Sequence, residues 1–431
     1  IVNAGVAGTT IQSWGVSSAT YNVTSFSLDA LVSSLTAHQT YQVDIPSGFI
    51  VDGSGASYTG TAYTFSTGKF NYNLYAWGNK TSGRMAQNNL TEYSSPVQIP
   101  GTNWNIGYQV YGWYQTSLIA PKDDGTLWVW GSNGRGALGL NNRTQYSSPV
   151  QVGGTTWAPW GNSQAMNATF VTKQDGTLWS WGANEFGQLA QNNRTDKSSP
   201  VQIGSDTTWP KDGLEGKMSA GSELMNFVIK TDGTLWAWGW NSMGQMGQNN
   251  TVAYSSPVQI PGTTWNFVNA GDQSVRAVKT DGTLWAWGGN EHGELGQNAQ
   301  GVEQSSPVQI PGTNWSKSFS ANKSNWATKT DGTLYAWGSQ AGWGALGLNS
   351  AVNQSSPVQI PGTTWKQVTG GEEDAYAVKT DGTAWAWGRG SDGRLAQNST
   401  VAYSSPVQIG SETDWAFTIA GYEGGFGLRS F

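Results

Sequence analysis

Two patterns in this 431-residue chain recur at spacings that could support chemistry. Six aspartates, Asp124, Asp175, Asp232, Asp281, Asp331 and Asp381, each precede Gly-Thr, and carboxylates so repeated could serve as general acids or calcium ligands. Ser-Ser-Pro recurs seven times and could supply a nucleophile. Both readings fail on their surroundings. Asp-Gly-Thr is the composition of a tight hairpin turn, where Asp tolerates and Gly favours a positive φ, and no oxygen-rich loop of EF-hand type follows it. A serine nucleophile needs an oriented base, and the chain has two histidines, His38 and His292, and no cysteine. Thiol nucleophiles, disulfides, thiolate metal sites and His-rich metal sites are thereby excluded. So few non-repeated polar groups assemble no conjunction of nucleophile, base and oxyanion donor, and a non-enzymatic chain without cofactor or metal is expected.

Composition narrows the class further. Fifty-eight glycines and a charged fraction of 12% argue against helices and for an all-β protein. The net charge is -6, with 22 lysines and arginines scattered singly, so nucleic acid is not an expected partner. No run of 18 apolar residues predicts membrane insertion. Opening on Ile1, without Met or a signal-peptide pattern, reads as a processed product or a piece of something longer.

The elements that must position these residues repeat. A Trp-Gly pair returns seven times, from Trp77-Gly78 to Trp387-Gly388, in steps of 53, 51, 57, 49, 50 and 50 residues, which marks a repeat architecture. One unit runs from Lys279-Thr280-Asp281-Gly282-Thr283 through Leu284-Trp285-Ala286-Trp287-Gly288 to Ser305-Ser306-Pro307-Val308-Gln309-Ile310 and Trp315. Apolar positions alternate through Val275 and Ala277 up to Lys279, and again from Leu284 to Trp287, which is strand periodicity. Neither face of Leu284–Trp287 is suited to water, so each sheet is expected to stack between two others. Nineteen of the 25 tryptophans fall at repeat positions and read as packing. Seven sheets of about four strands in a radial array are a β-propeller. The first unit, entering at Phe70–Gly78, lacks the Lys-Thr-Asp-Gly-Thr hairpin, and the chain stops near Gly425–Phe431 where that hairpin would begin. The spacing therefore predicts that residues near 422 to 429 pair with residues near 73 to 78, closing the ring.

These repeats resemble the regulator of chromosome condensation family, whose units carry an Asp-Gly-x-Leu-Trp-x-Trp-Gly-x-Asn-x-x-Gly-Gln-Leu-Gly pattern and fold as seven-bladed propellers. The resemblance covers residues 70 to 431. It leaves function open, since the family includes a nuclear exchange factor, a plant UV-B photoreceptor and a secreted β-lactamase inhibitor. The acidic chain fits an exchange factor poorly, and the photoreceptor's Gly-Trp-Arg-His-Thr cluster is missing. The near-identity of the Ser-Ser-Pro-Val-Gln-Ile-Pro-Gly-Thr-Thr-Trp copies looks like propellers of phage tail fibres, other virion appendages and bacterial surface proteins. Residues 1–68, through Thr40–Gly48, Asp52–Gly55 and Tyr63–Gly68, resemble the closing half of a bacterial immunoglobulin-like domain without its opening strands. The expected organisation is a partial Ig-like β domain at 1–68 followed by a propeller at 69–431.

Function is then sought where the copies differ. The turn near Gly271 and the loop after Gly288 leave the strands at one end, the loop end, and the uniform Asp-Gly turns at the other, the turn end. Variation concentrates at the loop end, in Arg135, Glu185, Phe186, Trp240, Asn241, Met243, Glu291, His292, Gln340, Trp343, Arg389 and Asp392. Large aromatics among Asn and Gly on such loops form a candidate binding face, with Trp240 and Trp343 as exposed anchors. Asn-x-Thr sequons, including Asn89, Asn142, Asn193 and Asn398, read as polar surface loops. The third unit is enlarged, Trp209 to Trp238 spanning 29 residues against 22 for Trp265 to Trp287. Its Lys211, Asp212, Leu214 and Glu215 form a candidate subunit contact at the turn end. The expected role is a fibre or appendage module at a virion or cell surface, meeting a host protein or glycan or another virion protein. A bacterial adhesin and a secreted inhibitor are the alternatives, and oligomerisation is expected through a region upstream.

Overall fold

The computed structural model describes the strands Val2–Val6, Thr9–Trp14, Ala19–Tyr21, Phe26–Leu28, Thr40–Ile45 and Thr61–Ser66 of the N-terminal part. From Tyr72 onward it describes all residues except 79–80, 105–116, 123, 166, 212–215, 222–223, 372, 422–423 and 431. The chain divides into two compact units, Ile1–Phe70 and Asn71–Phe431. In the first, Val2–Val6 pairs antiparallel with Thr9–Trp14 and with Thr40–Ile45, which pairs in turn with Thr61–Ser66. An antiparallel sheet of this order is common to many β folds and carries no immunoglobulin signature of its own.

The second unit holds seven antiparallel sheets, numbered here as blades I to VII by their Trp-Gly pair. Blade V shows the plan, with strands Trp265–Ala270, Ser274–Lys279, Leu284–Gly288 and Gln304–Ile310. The first strands of neighbouring blades touch: Val268 N–H donates to Gly216 O and Ala270 N–H to Ser219 Oγ. They therefore line the ring's centre, and the Ser-Ser-Pro strands form its rim. Blade I is built from both ends of the unit. Its strands Trp415–Gly421 and Gly424–Ser430 join Tyr72–Gly78 and Tyr93–Gln98, in the register Leu428 opposite Leu74 and Gly427 opposite Tyr75. The ring closes as the repeat phase predicts, and closure leaves no open sheet edge between first and last blades.

Two devices hold the seams. The indole N–H of each Trp-Gly tryptophan donates to a carbonyl of the preceding blade. Trp130 reaches Arg84 O, Trp181 Ala137 O, Trp238 Gln188 O, Trp287 Gln245 O, Trp337 Glu294 O and Trp387 Ala345 O, while Trp77 reaches Arg394 O across the closure, at 2.6 to 3.2 Å. All seven rings are fully buried, and replacing one by alanine costs about 3–5 kcal/mol. At the rim, a loop asparagine N–H donates to the first Ser-Ser-Pro serine of the next blade, as Asn249 does to Ser305 O at 2.8 Å. Gly244 is required beside this contact, because an added Cβ would lie 2.5 Å from Ser305 Cα. The repeated serines are thus seam residues. One expectation is corrected: Leu284, Ala286 and Trp287 are buried, but Trp285 is half-buried, because it lies at the turn end against the Lys279 ammonium, 4.5 Å from its ring centroid.

Candidate functional site

At the turn end the chemistry is uniform. Asp281 Oδ1 accepts from Thr283 N–H at 2.9 Å and from its hydroxyl at 2.7 Å, and that hydroxyl accepts the Trp285 indole N–H at 2.9 Å. The same bonds recur at Asp124, Asp175, Asp232 and Asp381, and at Asp331 without the indole, since Tyr335 replaces it. The threonine bonds hold the Asp175, Asp232, Asp281, Asp331 and Asp381 carboxyls below the usual range. These aspartates are ionised turn staples, poor proton donors at neutral pH.

The loop end differs from blade to blade; ion pairs cross two of its seams, and a guanidinium–indole contact crosses a third. Arg135 of blade II grips Asp196 of blade III, Nε to Oδ2 at 2.7 Å and Nη2 to Oδ1 at 3.0 Å, and reaches Glu185 at 3.2 Å. Hydrogen bonding to Asp196 raises the guanidinium above its ordinary value, and the same bond lowers Asp196. Glu291 of blade V pairs with Lys323 of blade VI, a contact that lowers the Glu291 carboxyl. His292 lies beside it, Nε2 3.6 Å from Glu291 Oε2 and Nδ1 3.4 Å from Asn353 Nδ2. Arg389 of blade VII donates to Glu373 at 2.7 Å and to Ser391 Oγ at 2.8 Å, and its guanidinium carbon sits 5.7 Å from the ring centroid of Trp343 in blade VI. Trp343 remains 47% exposed and Phe186 37%.

Other candidates are structural. Asn241 is buried, its amide donating to Asn250 O at 3.1 Å and Val252 O at 2.8 Å while Oδ1 accepts Met246 N–H at 2.8 Å. Asn133, Asn184 and Asn290 make the same bracket, and in blade VI the buried Gln340 accepts Leu346 N–H instead. A residue that pins its own loop this way is withdrawn from any ligand. Trp240 and Met243 are half-buried, so Trp240 is not the open anchor expected. Asp392 holds Arg394 Nη2 at 3.3 Å. The sequon asparagines Asn89, Asn142 and Asn193 each accept the N–H two residues on, at 2.9 Å, in Asx turns. Lys211 is half-buried on the turn end, beside Asp232 and Gly233; Asp212, Leu214 and Glu215 lie outside the described residues.

Asp196, Lys323 and Glu373, the partners that complete the braces, escape a reading of single loops. Opposite charge about one repeat apart could have flagged Arg135 with Glu185, but Lys323 stands 32 residues from Glu291 and Glu373 16 from Arg389. Sequence reasoning also missed Arg276, wholly buried on the second strand of blade V, and Glu294. Burial pushes Arg276 down to about 9, offset by Glu294, and burial raises Glu294. At about 9 the guanidinium is still charged at neutral pH. Among the described residues no group of three His, Asp or Glu is placed to hold a metal ion.

The regulator of chromosome condensation (RCC1) repeat model matches residues 124–157, 175–210, 232–277, 281–321, 331–378 and 381–420. The chain belongs to the RCC1 repeat family. It is 26% identical to the ultraviolet-B receptor UVR8 of Arabidopsis thaliana over 192 residues, 43% of this chain and 41% of that protein. It is 28% identical to the human protein RCC2 over 141 residues, 32% of this chain and 25% of that one. The chain thus spans less than half the length of these curated relatives. Yeast RCC1 (Prp20), crystallised bound to Kap60, superposes with a TM-score of 0.72 at 16% identity, over 84% of this chain and 89% of that one. Human WBSCR16 gives 0.69, over 84% and 99%. At such identities these structures establish the propeller fold and nothing of its partner.

Proposed function

We propose that this RCC1-repeat propeller is a non-catalytic protein-binding module whose contact surface is the loop end centred on Trp343 and Arg389. The observation that carries the reading is an indole left 47% exposed yet backed by a guanidinium that is itself fixed by Glu373 and Ser391. Tryptophan and arginine dominate binding hot spots, and braced loops lose little entropy on association. Family membership supports a binding or regulatory role. A photo-crosslinking residue at position 343, and another at 281 on the turn end, tests it: adducts with a discrete protein at 343, diminished by Arg389→Ala, are expected. Equal labelling from both positions would overturn it.

As to context, the near-identity of the Ser-Ser-Pro-Val-Gln-Ile copies favours a phage fibre or other surface appendage, presented to a host receptor or a virion protein, with a bacterial adhesin as the neighbouring alternative. Co-purification with assembled particles supports that setting. A monomer with one nanomolar soluble partner supports a secreted inhibitor instead.

A further inference from the structure

We propose that a pocket at the turn end, between blades IV and V, binds a carboxylate group through Lys217 and Lys211. The inference is independent of the loop-end reading, because it concerns the opposite end of the strands. In blade V the first strand starts at Trp265 itself, whereas in blade IV Trp209 is followed by the extra segment and the first strand starts at Met218. Pro210 and Lys211 from that segment add a wall, facing Asp232-Gly233 of the same blade and Thr264-Trp265 of the next, and enclose about 360 Å³.

Three ammonium groups line this space, and they are not equivalent. Lys230 is neutralised by Asp206 and sits over the rings of Trp209 and Trp236, at 4.6 and 4.2 Å from their centroids. Lys217 donates to Asn266 O at 2.7 Å and to Asn266 Oδ1 at 3.0 Å, which uses two of its three protons. Among the described residues neither Lys217 nor Lys211 has a carboxylate partner. Burial lowers Lys217, and no fixed anion offsets that cost. Asp232, the acidic group on the wall, turns Oδ1 to Thr234. An incoming carboxylate would take the free proton of Lys217 and the unpaired head of Lys211, in charge-assisted bonds, with the Thr231, Thr264 and Thr280 segments as polar surroundings.

Such a carboxylate belongs either to a small free acid or to an acidic side chain of a peptide. Titration calorimetry of the whole chain with glutarate and with a hexaglutamate peptide separates these sources. Saturable binding of either probe supports the site: glutarate alone marks a small acid, and a peptide bound tenfold or more tighter marks a protein side chain. Lys217→Met and Lys211→Met are each expected to weaken binding tenfold or more. Lys366→Met is the control, because Lys366 makes the matching seam bond in blade VII, to Ala416 O at 3.1 Å, and should leave the affinity unchanged. Should Lys217→Met fail to fold, the half-buried Lys211 decides alone. Absence of saturable binding, equal binding of uncharged glutaramide, or affinity indifferent to Lys211→Met would overturn the proposal.

Discussion

Thr283 makes the turn staple work as a relay, its hydroxyl donating to Asp281 while accepting the indole N–H of Trp285. Thr283→Val keeps the shape and the backbone N–H bond to the exposed Asp281, but leaves the half-buried Trp285 indole N–H without its acceptor, and is expected to cost about 1 kcal/mol in urea unfolding. Thr333→Val in blade VI should cost measurably less, because Tyr335 there offers no indole N–H. Carboxyls lowered by such threonine bonds, with Asp206 before Thr207-Thr208 among them, set the acid limit. Asp206 illustrates the sign: burial raises its carboxyl, but Lys230 and the Thr208 amide and hydroxyl outweigh that and bring it from 3.8 to about 2. A carboxyl lowered on folding stabilises the fold above its unfolded value and loses that contribution as pH falls to the folded one. Urea midpoints should therefore drop between about pH 4 and pH 2, and Asp206→Asn should shrink the drop. A midpoint rising through that interval would contradict the assignment. The six turn aspartates were legible in sequence, because Asp-Gly-Thr before a strand has a physical meaning in isolation; Asp206, followed by Thr207-Thr208, was not.

At the level of the strand and its loop, one register position varies with purpose. The central residue of the second strand is Phe170, Phe227, Trp326 or Tyr376 in blades III, IV, VI and VII, and each ring packs edge-on against the next blade's Trp-Gly indole, with centroids 5.7 to 6.5 Å apart. Blade V has Arg276 there, with Glu294 at the loop position that is Gln188 and Gln245 in blades III and IV. Glu294→Gln alone removes the charge that partly offsets the burial of Arg276, and is expected to lower stability in denaturant unfolding. Arg276→Phe with Glu294→Gln transplants the pair used by blades III and IV. The double variant is expected to match or exceed the parent's stability, by up to about 4 kcal/mol, in denaturant unfolding. If the double variant is less stable than Glu294→Gln, the two positions are not coupled. Sequence reasoning did not single this out: alternation through Val275 and Ala277 leaves Arg276 on the other face, and the expected stacking implies burial there without naming the loop carboxylate that accompanies it. Burial there follows from stacking between two neighbours. The loop braces were hidden for a similar reason, since Arg135 reads as free until the fold brings Asp196 from another blade.

Across the propeller unit, closure was the most legible feature, because it follows from the phase of the repeat: the first unit lacks two strands and the last supplies them. What the sequence left unread is how the closing sector is held. Tyr72–Gly78 and Gly424–Ser430 are joined by backbone pairing and by Leu74 and Leu428 in one buried cluster with Trp104 and Phe417, while the Trp77 indole reaches Arg394 of blade VII. No covalent continuity links these two strands, so the ring should open here first. Leu428→Ala removes a side chain that is 4% exposed and is expected to cost about 2–5 kcal/mol. Leu284→Ala in blade V removes a leucine that is likewise buried, from a sheet whose strands are consecutive, so the two variants can be compared in equilibrium stability yet differ in where they loosen. Hydrogen exchange should show the amides of Tyr72–Gly78 and Gly424–Ser430 released early in Leu428→Ala, with the other blades protected, since local opening draws on the least continuous element. Leu284→Ala should leave those amides at their parental rates. Removal of residues 424–431 carries the same logic to its end, exposing the edge of Tyr72–Gly78 as a template for other chains. Self-association and loss of a single cooperative transition are expected; a truncated chain that stays monomeric and unfolds in one step would show that the ring is held elsewhere.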